Sequence, residues 1–253
     1  MKDILEGSKM LLGESLLMIG DSLKDVVIVG GWGPYLRHSD KHPGTKDVDV
    51  LFPITYTKDS IGEILNRFLN YGFYISAKND FQLCRAYKLN QQTYVYNVDL
   101  LHPTEGKVNK VDFIEIMDLD VTVDGIRVKP IMTREIQHGD VIYLEKLFET
   151  TEFNGMSFNV LDASGIIISK LDSCHNKKRE RDIYDIYLSL LEPNALEKVN
   201  QLTKLNPHLE REVQKYLEKI TSDWKTYEKH LEQFGVKDTK AKQILMMGRS
   251  IIK

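Results

Sequence analysis

Short runs of alternating or continuous apolar residues fill the first 160 positions of the chain. "DVVIVGG", "KDVDVLF", "FQLCRAYKL", "TYVYNVDLL", "VDFIEIMD" and "VTVDGIRV" each read as a short strand, and Asp124-Gly125 in the last is a good two-residue hairpin turn. Between them, "DSIGEILNRFLNYGF" places Ile61, Ile64, Leu65 and Phe68 at helical spacing. Asp59 or Ser60 is the expected cap of that helix and Gly72 its stop. Beyond residue 160 the period becomes almost wholly helical. Ile183, Ile186, Tyr187, Leu190 and Leu191 make one stripe, and Asn206-Pro207 marks the start of another helix. The pattern predicts an α/β (α+β) domain over residues 1–158 and a helical domain over 159–253, with the boundary inside "EFNGMSFNVLD" (152–162). Internal repeats and low-complexity tracts are absent.

Composition narrows the class. A chain of 253 residues, 42% hydrophobic and 28% charged, can bury a full core. The opening "ILEGSKMLLGESLLMIG" is amphipathic and interrupted by Glu6 and Glu14, which fits neither a signal peptide nor a membrane span. A cytoplasmic protein with no membrane partner is the expectation. Cys84 and Cys174 lie far apart without ligand spacing and read as small buried hydrophobes. A net charge of −3 gives no global attraction to polyanions, although "KKRER" at 177–181 is locally basic.

The candidate chemistry begins at "TKDVDVLF". Residues i and i+2 of a strand share a face, so Asp47 and Asp49 project together while Val48 and Val50 face the other way. A plain half-exposed strand would look the same. Asp99, at the end of "TYVYNVDLL", shares a face with Asn97, Val95 and Thr93. Were the two strands neighbours, three carboxylates would converge and repel one another unless a cation neutralised them. Aspartate oxygens suit Mg²⁺ or Mn²⁺, and two such ions about 4 Å apart can activate an attacking oxygen and neutralise a triphosphate. Upstream, Gly30 and Gly31 end a strand and precede a short helix, "WGPYLRH", where backbone N–H groups can meet phosphate. A tight strand-to-helix turn would use the same residues. The chain has no GxxxxGK[ST], and Gly31-x-Gly33 lacks the third glycine of a dinucleotide fingerprint.

Taken in order, "VGGWGPYLR", "TKDVDVLF", "VYNVDLL" and "ISKLDSCHNKKRERDIYDIYLSL" resemble the DNA polymerase β-type nucleotidyltransferase superfamily. Within it, the chain looks most like the nucleotidyltransferase toxins of bacterial abortive-infection (type IV) toxin–antitoxin systems. The resemblance spans about residues 25–191. It implies a palm-like mixed sheet with flanking helices, followed by a C-terminal helical domain that completes an active-site cleft. It further implies NTP and Mg²⁺ (or Mn²⁺) binding and transfer of a nucleoside monophosphate with release of pyrophosphate. Carried over, Asp47, Asp49 and Asp99 are the metal ligands, with Asp99 the base toward the acceptor. Gly30, Gly31, Trp32, Thr45, Lys170 and Arg179 become the nucleotide-binding residues. Two departures stand out. Gly31 occupies a position where many members have a serine, and the connection from Gly31 to Asp47, with its "HSDKHPG", is longer than usual.

Lys170 falls within the apolar arc of Ala163, Ile166 and Ile167 on the helix expected over "DASGIIISKLDSC". Snorkelling to solvent and a functional role are both compatible with that position. The resemblance favours the role, with the Lys170 ammonium steadying the leaving pyrophosphate. Asp182 and Asp185 lie opposite the Ile/Tyr/Leu stripe, where a solvated, salt-bridged face is the simplest expectation, and Arg181 is spaced i,i+4 to Asp185. The family's RDxxD-like motif makes Asp182 the functional candidate, with Arg179 or Arg181 near phosphate. His38 and His42, four apart before Pro43, read as bystanders rather than a metal pair.

The expected acceptor is an RNA end, tRNA above all, and an antitoxin protein is an expected partner of a toxin. Two rivals stay open: an antibiotic nucleotidyltransferase of the aminoglycoside or lincosamide kind, which "GGWG" before the xDxD strand also resembles, and a non-catalytic nucleotide-binding protein.

Overall fold

The computed structural model describes residues 2–104, 131–176 and 178–249. The strands expected over 111–118 and 121–128, with Asp124-Gly125, and Lys177 of the basic run lie outside the described residues.

In chain order the elements are α1 (Lys2–Ile19), β1 (Val27–Val29), α2 (Trp32–Arg37), β2 (Val48–Leu51), α3 (Lys58–Asn70), β3 (Tyr74–Ile75), β4 (Gln82–Leu89), β5 (Gln92–His102) and β6 (Arg134–Glu135). They continue with α4 (Gly139–Leu144), β7 (Phe148–Phe153), β8 (Met156–Leu161), α5 (Ala163–Lys170), α6 (Glu180–Leu190), α7 (Ala195–Leu205), α8 (Pro207–Ser222), α9 (Trp224–Gln233) and α10 (Ala241–Leu245). The protein is mixed α/β, and its described strands form one mixed sheet in the order β3-β4-β5-β2-β1-β8-β7, with β6 on β5.

Two compact units partition the chain. Unit 1 comprises Met1–Val29, Thr45–Leu144 and Thr150–Val160; unit 2 comprises Gly30–Gly44, Glu145–Glu149 and Leu161–Lys253.

Unit 1 is built on the sheet. Val48, Val50, Val98 and Leu100 point to its buried face and are at most 1% exposed. That face is covered by α1, through Leu11, Leu12 and Leu16, and α1 packs in turn on the amphipathic α3, which buries Ile61, Ile64, Leu65 and Phe68. The cap of α3 is Thr57, whose side chain accepts from the Ser60 amide, rather than Asp59 or Ser60 as the sequence suggested. Thr57 stands one residue outside the helix in extended backbone, the position from which a hydroxyl reaches the N3 amide. Gly7 is where α1 meets the sheet: a Cβ there would collide with the Tyr96 ring, whose hydroxyl donates to the Ile4 carbonyl at 3.0 Å.

The β4–β5 hairpin closes on two residues, Asn90 and Gln91, with φ of 46° and 67°, between the paired Leu89 and Gln92. Both central residues are left-handed, as a type I′ turn requires. This turn fixes the register that sets Gln82 opposite Asp99. "EFNGMSFNVLD", which the sequence suggested as a boundary, is part of a second hairpin: Asn154 and Gly155 have φ of 52° and 76° and join β7 to β8.

Unit 2 is helical, with a core of Ile166, Ile167, Ile183, Ile186, Val199, Val213, Tyr216 and Ile220, all fully buried. Asp162 caps α5 by accepting from the Gly165 amide at 2.7 Å. Asn206 caps α8 ahead of Pro207 in the same way, accepting from His208 and Leu209. The helix expected over 162–174 ends at Lys170 and gives way to a 3₁₀ turn, Ser173–His175.

Neither cysteine is in a disulfide; Cys84 is half-buried and Cys174 buried. No described helix is long and apolar enough to cross a membrane.

Candidate functional site

On the sheet face of unit 1 opposite to its buried valines, the strand pairing sets two of the sequence's carboxylates side by side. β2 and β5 are parallel neighbours, with Asp49 directly opposite Asp99. Adjacent strands lie about 4.8 Å apart, so two side chains leaving the same face at paired positions are near neighbours. Asp47, two residues earlier, shares that face, as does Asn97 on β5. All three aspartates are half-buried.

Two amides complete the arrangement. Asn97 donates through Nδ2 to Asp47 Oδ1 at 3.1 Å, and Gln82 donates through Nε2 to Asp99 Oδ1 at 2.7 Å. Each amide is itself oriented: Gln82 Oε1 accepts from Asn79 Nδ2 at 3.2 Å, and Asn97 Oδ1 accepts from the Cys84 thiol at 3.5 Å. Neutral donors support carboxylate charge without cancelling it. The donor set presented by this face is all oxygen, the kind taken by hard divalent cations. Asn97 was recognised in the sequence only as sharing a face with Asp99. Gln82 was missed, because its placement depends on the Asn90–Gln91 turn.

Within unit 2 a second, different cluster is buried. Lys170, 5% exposed, places Nζ 2.6 Å from Asp182 Oδ1 and 2.9 Å from Asp185 Oδ2. Asp182 and Asp185 are 4% and 0% exposed, so the solvated face expected on α6 is instead a buried polar seam. A helical projection cannot distinguish the two, since a carboxylate paired with a buried lysine follows the same spacing as one in water. The Ser173 hydroxyl donates to Asp182 Oδ2 at 2.6 Å. Asp185 Oδ1 lies 2.9 Å from His42 Nε2, and His42 Nδ1 accepts from the Gly44 amide at 3.1 Å. Because Nδ1 is an acceptor, the imidazole proton sits on Nε2 and is donated to Asp185. Arg181 donates to the Gly44 carbonyl at 2.8 Å, with its Nε 3.8 Å from Asp185.

The protonation states follow from burial and pairing. Burial alone would lower the Lys170 pKa, but Asp185 and Asp182 outweigh it and hold the ammonium above its ordinary value. Burial alone would raise Asp185, yet the Lys170 charge and the His42 hydrogen bond bring its carboxyl below the usual range. Burial pushes His42 below 6.5 despite its Asp185 partner, so it is neutral at pH 7. His42, Ser173 and Asp185 are the members of this cluster that sequence reasoning did not put forward as site residues.

The glycine turn also belongs to unit 2. Gly30 has φ of +70°, a conformation costly for any residue with a Cβ, and Gly31 starts α2 without a side-chain cap. Trp32 is fully buried, its ring edge-on to Tyr35 at 5.6 Å. Thr45, in unit 1, is 7% exposed. Arg37 bridges Glu149 and Glu192, and His38 lies 3.1 Å from Glu192. His38 and His42 thus turn to different acids. Arg179 remains 55% exposed in its side chain, 3.8 Å from Asp182. Of the residues the sequence put forward, the structure groups Asp47, Asp49 and Asp99 on one sheet face of unit 1, and Lys170, Asp182 and Arg179 around α6 in unit 2.

No protein-family model matches the chain, and no curated protein matches it in sequence. Among solved structures it is similar to a candidate nucleotidyltransferase from H. pylori, with a TM-score of 0.48 and 12% identity over 96% of this chain and 90% of that one. It is also similar to JHP933 from Helicobacter pylori, with a TM-score of 0.45 and 12% identity over 96% and 92%. A third is an antigenic nucleotidyltransferase-like protein from Paracoccidioides brasiliensis, with a TM-score of 0.36 and 14% identity over 83% and 92%. Likeness at this level assigns neither substrate nor residue.

Proposed function

We propose that the protein is a metal-dependent nucleotidyltransferase that moves a nucleoside monophosphate from an NTP to an acceptor hydroxyl and releases pyrophosphate. The observation that supports it is the ladder position of Asp49 beside Asp99, with Asp47, just before β2, bonded to Asn97 of β5. In this reading Asp47, Asp49 and Asp99 hold Mg²⁺ or Mn²⁺. The cation, when bound, neutralises triphosphate charge and makes the acceptor hydroxyl more acidic. Asp99 takes up the hydroxyl proton as the acceptor oxygen bonds to the α-phosphorus and the bond to the β-phosphate breaks. Gly30 and Gly31 meet the triphosphate through their backbone, and the buried Trp32 and Thr45 shape that binding through the chain around them. Arg179, exposed and cationic, is the candidate phosphate contact. Lys170 and Asp182, neutralising each other at 2.6 Å, act in this reading as positioning residues.

RNA is the favoured acceptor, because Lys178 and Arg179 are exposed basic residues next to the polar seam. A toxin role, with an antitoxin partner, extends that reading to the cell.

The test is transfer of label from each α-³²P NTP, with Mg²⁺ or Mn²⁺, to total RNA and to a panel of aminoglycosides and lincosamides, with Asp47→Ala/Asp49→Ala as the control. Label on RNA that disappears in the control is the expected result. Label on an antibiotic alone identifies the other acceptor class. Metal-dependent NTP binding without transfer to any acceptor contradicts the enzymatic reading.

A further inference from the structure

We infer that His42 is a positioning residue for the nucleotide: in its neutral form it pins the connection that follows the glycine turn and α2 onto α6, and a second ring proton undoes one end of that link. The inference rests on the proposed meeting of Gly30 and Gly31 with a triphosphate and deepens it.

Residues Gly30–Gly44 form one continuous segment of unit 2. Its first part is fixed by close packing, since a Cβ on Gly33 would stand 3.2 Å from the Leu161 carbonyl and from Ile166 of α5. Beyond α2 the chain has neither helix nor strand over residues 38–44, and side chains of α6 and Glu192 just past it supply the order instead. The Gly44 carbonyl accepts from Arg181 at 2.8 Å and the Lys41 carbonyl accepts from the Tyr184 hydroxyl at 3.1 Å. His42 bonds Asp185 at 2.9 Å, while Arg37 and His38 reach Glu192. Arg181, Tyr184 and Asp185 are spaced to share one helix face.

His42 is the buried member of this set, 4% exposed, and both of its ring nitrogens are used. Nε2 donates to Asp185, and Nδ1 accepts from the Gly44 amide at 3.1 Å. A second proton could go only to Nδ1. It would set two donors face to face at Gly44 and leave the Asp185 contact in place. The groups facing the ring are Asp185, Arg181 and Tyr184 of α6, Lys170 of α5 and Tyr35 of α2. Asp185 attracts the extra proton, whereas burial, Arg181 and Lys170 oppose it. The link is therefore made at pH 7 and loses its Gly44 end in acid, loosening the segment that carries the glycine turn.

The experiment measures equilibrium binding of each α-³²P NTP in turn, with Mg²⁺, and amide hydrogen exchange of the peptides covering residues 38–44. The full chain is compared with His42→Phe and His42→Gln at about pH 7.5 and about pH 5.5. Phenylalanine keeps a flat ring and loses both contacts; glutamine carries an acceptor and a donor side by side and gains no proton in this range. At the higher pH, His42→Phe should bind NTP about tenfold more weakly and exchange faster over residues 38–44, and His42→Gln should recover most of both. Lowering the pH should weaken the unsubstituted protein more than His42→Gln, since the change in the triphosphate's own charge acts on both alike. If His42→Phe does not fold, that comparison across pH decides the question. A merely structural His42 would lower the melting temperature of His42→Phe and leave NTP affinity and its pH dependence where they were; that outcome overturns the inference while the nucleotide reading stands. If the unsubstituted protein binds no NTP, the nucleotide reading itself fails, and the inference with it.

Discussion

Asp49 of β2 and Asp99 of β5 are partners in a parallel ladder, so two carboxylates stand side by side where a sheet ordinarily avoids like charges. A stability-driven sequence would place a threonine or an opposite charge at one of the two. Keeping both, and bracing Asp99 with a neutral amide from Gln82, is intelligible if a cation completes the site.

Metal-linked stability follows directly. In chelator, Asp49→Asn should raise stability by roughly 0.2–1 kcal/mol, because it removes a like-charge pair. With millimolar Mg²⁺ the unsubstituted protein should gain melting temperature by mass action and Asp49→Asn should not. Thermal melts of both proteins with and without the ion make the comparison.

The buried seam should behave in the opposite way. Lys170→Met leaves Asp182 and Asp185 in a dry interior without their counter-charge, and should cost about 3–5 kcal/mol. Arg179→Ala, at a side chain 55% exposed, should stay within about 0.5 kcal/mol. Urea unfolding with a common slope measures both.

Acid should weaken unit 2. Burial holds His42 below 6.5 and pushes His175 down to about 4. For a group whose pKa is depressed by folding, the unfolded chain binds more protons, so stability is full above the unfolded value of 6.5 and is lost as pH falls toward the folded value. For His175 the window runs from 6.5 down to about 4. His42→Gln/His175→Gln should flatten the urea midpoint over that interval; an unchanged slope would show that neither imidazole is linked to folding.

Two glycines in helices of unit 1 should respond with opposite signs. Gly7→Ala drives a methyl into the Tyr96 ring and should cost about 1–3 kcal/mol. A Cβ on Gly62, in the interior of α3, meets nothing within 4 Å, so Gly62→Ala should gain about 0.5–1 kcal/mol from helix propensity alone.

Local pattern carried much of this fold and stopped at pairing. The alternation of Val48, Asp49 and Val50, the stripe from Ile61 to Phe68 and the Asn206-Pro207 start depend on nearest neighbours, and the structure has each of them. That the DxD strand borders the Asp99 strand was only a condition in the sequence, because ladder partners 50 residues apart leave no periodic trace. Gln82 was hidden for a related reason: its position follows from a turn on Asn90-Gln91, which lacks the glycine that usually marks a type I′ hairpin. Asn154-Gly155 does carry that mark, inside the stretch 152–162 where the change of period places the division between the two halves. On α6, a helical projection separates apolar from polar but says nothing about burial. Asp182 and Asp185 therefore looked solvated until Lys170 and His42 were placed beside them.

The central claim is that Asp49 and Asp99 act as one unit in nucleotidyl transfer. It is tested most directly by the rates of label transfer from α-³²P NTP for Asp49→Asn, Asp99→Asn and the double variant. Residues that serve one catalytic assembly are strongly non-additive. The expected result is that each single change abolishes most of the transfer and the double change adds little. Near-normal transfer by either single variant, or losses that simply multiply in the double, would contradict the account.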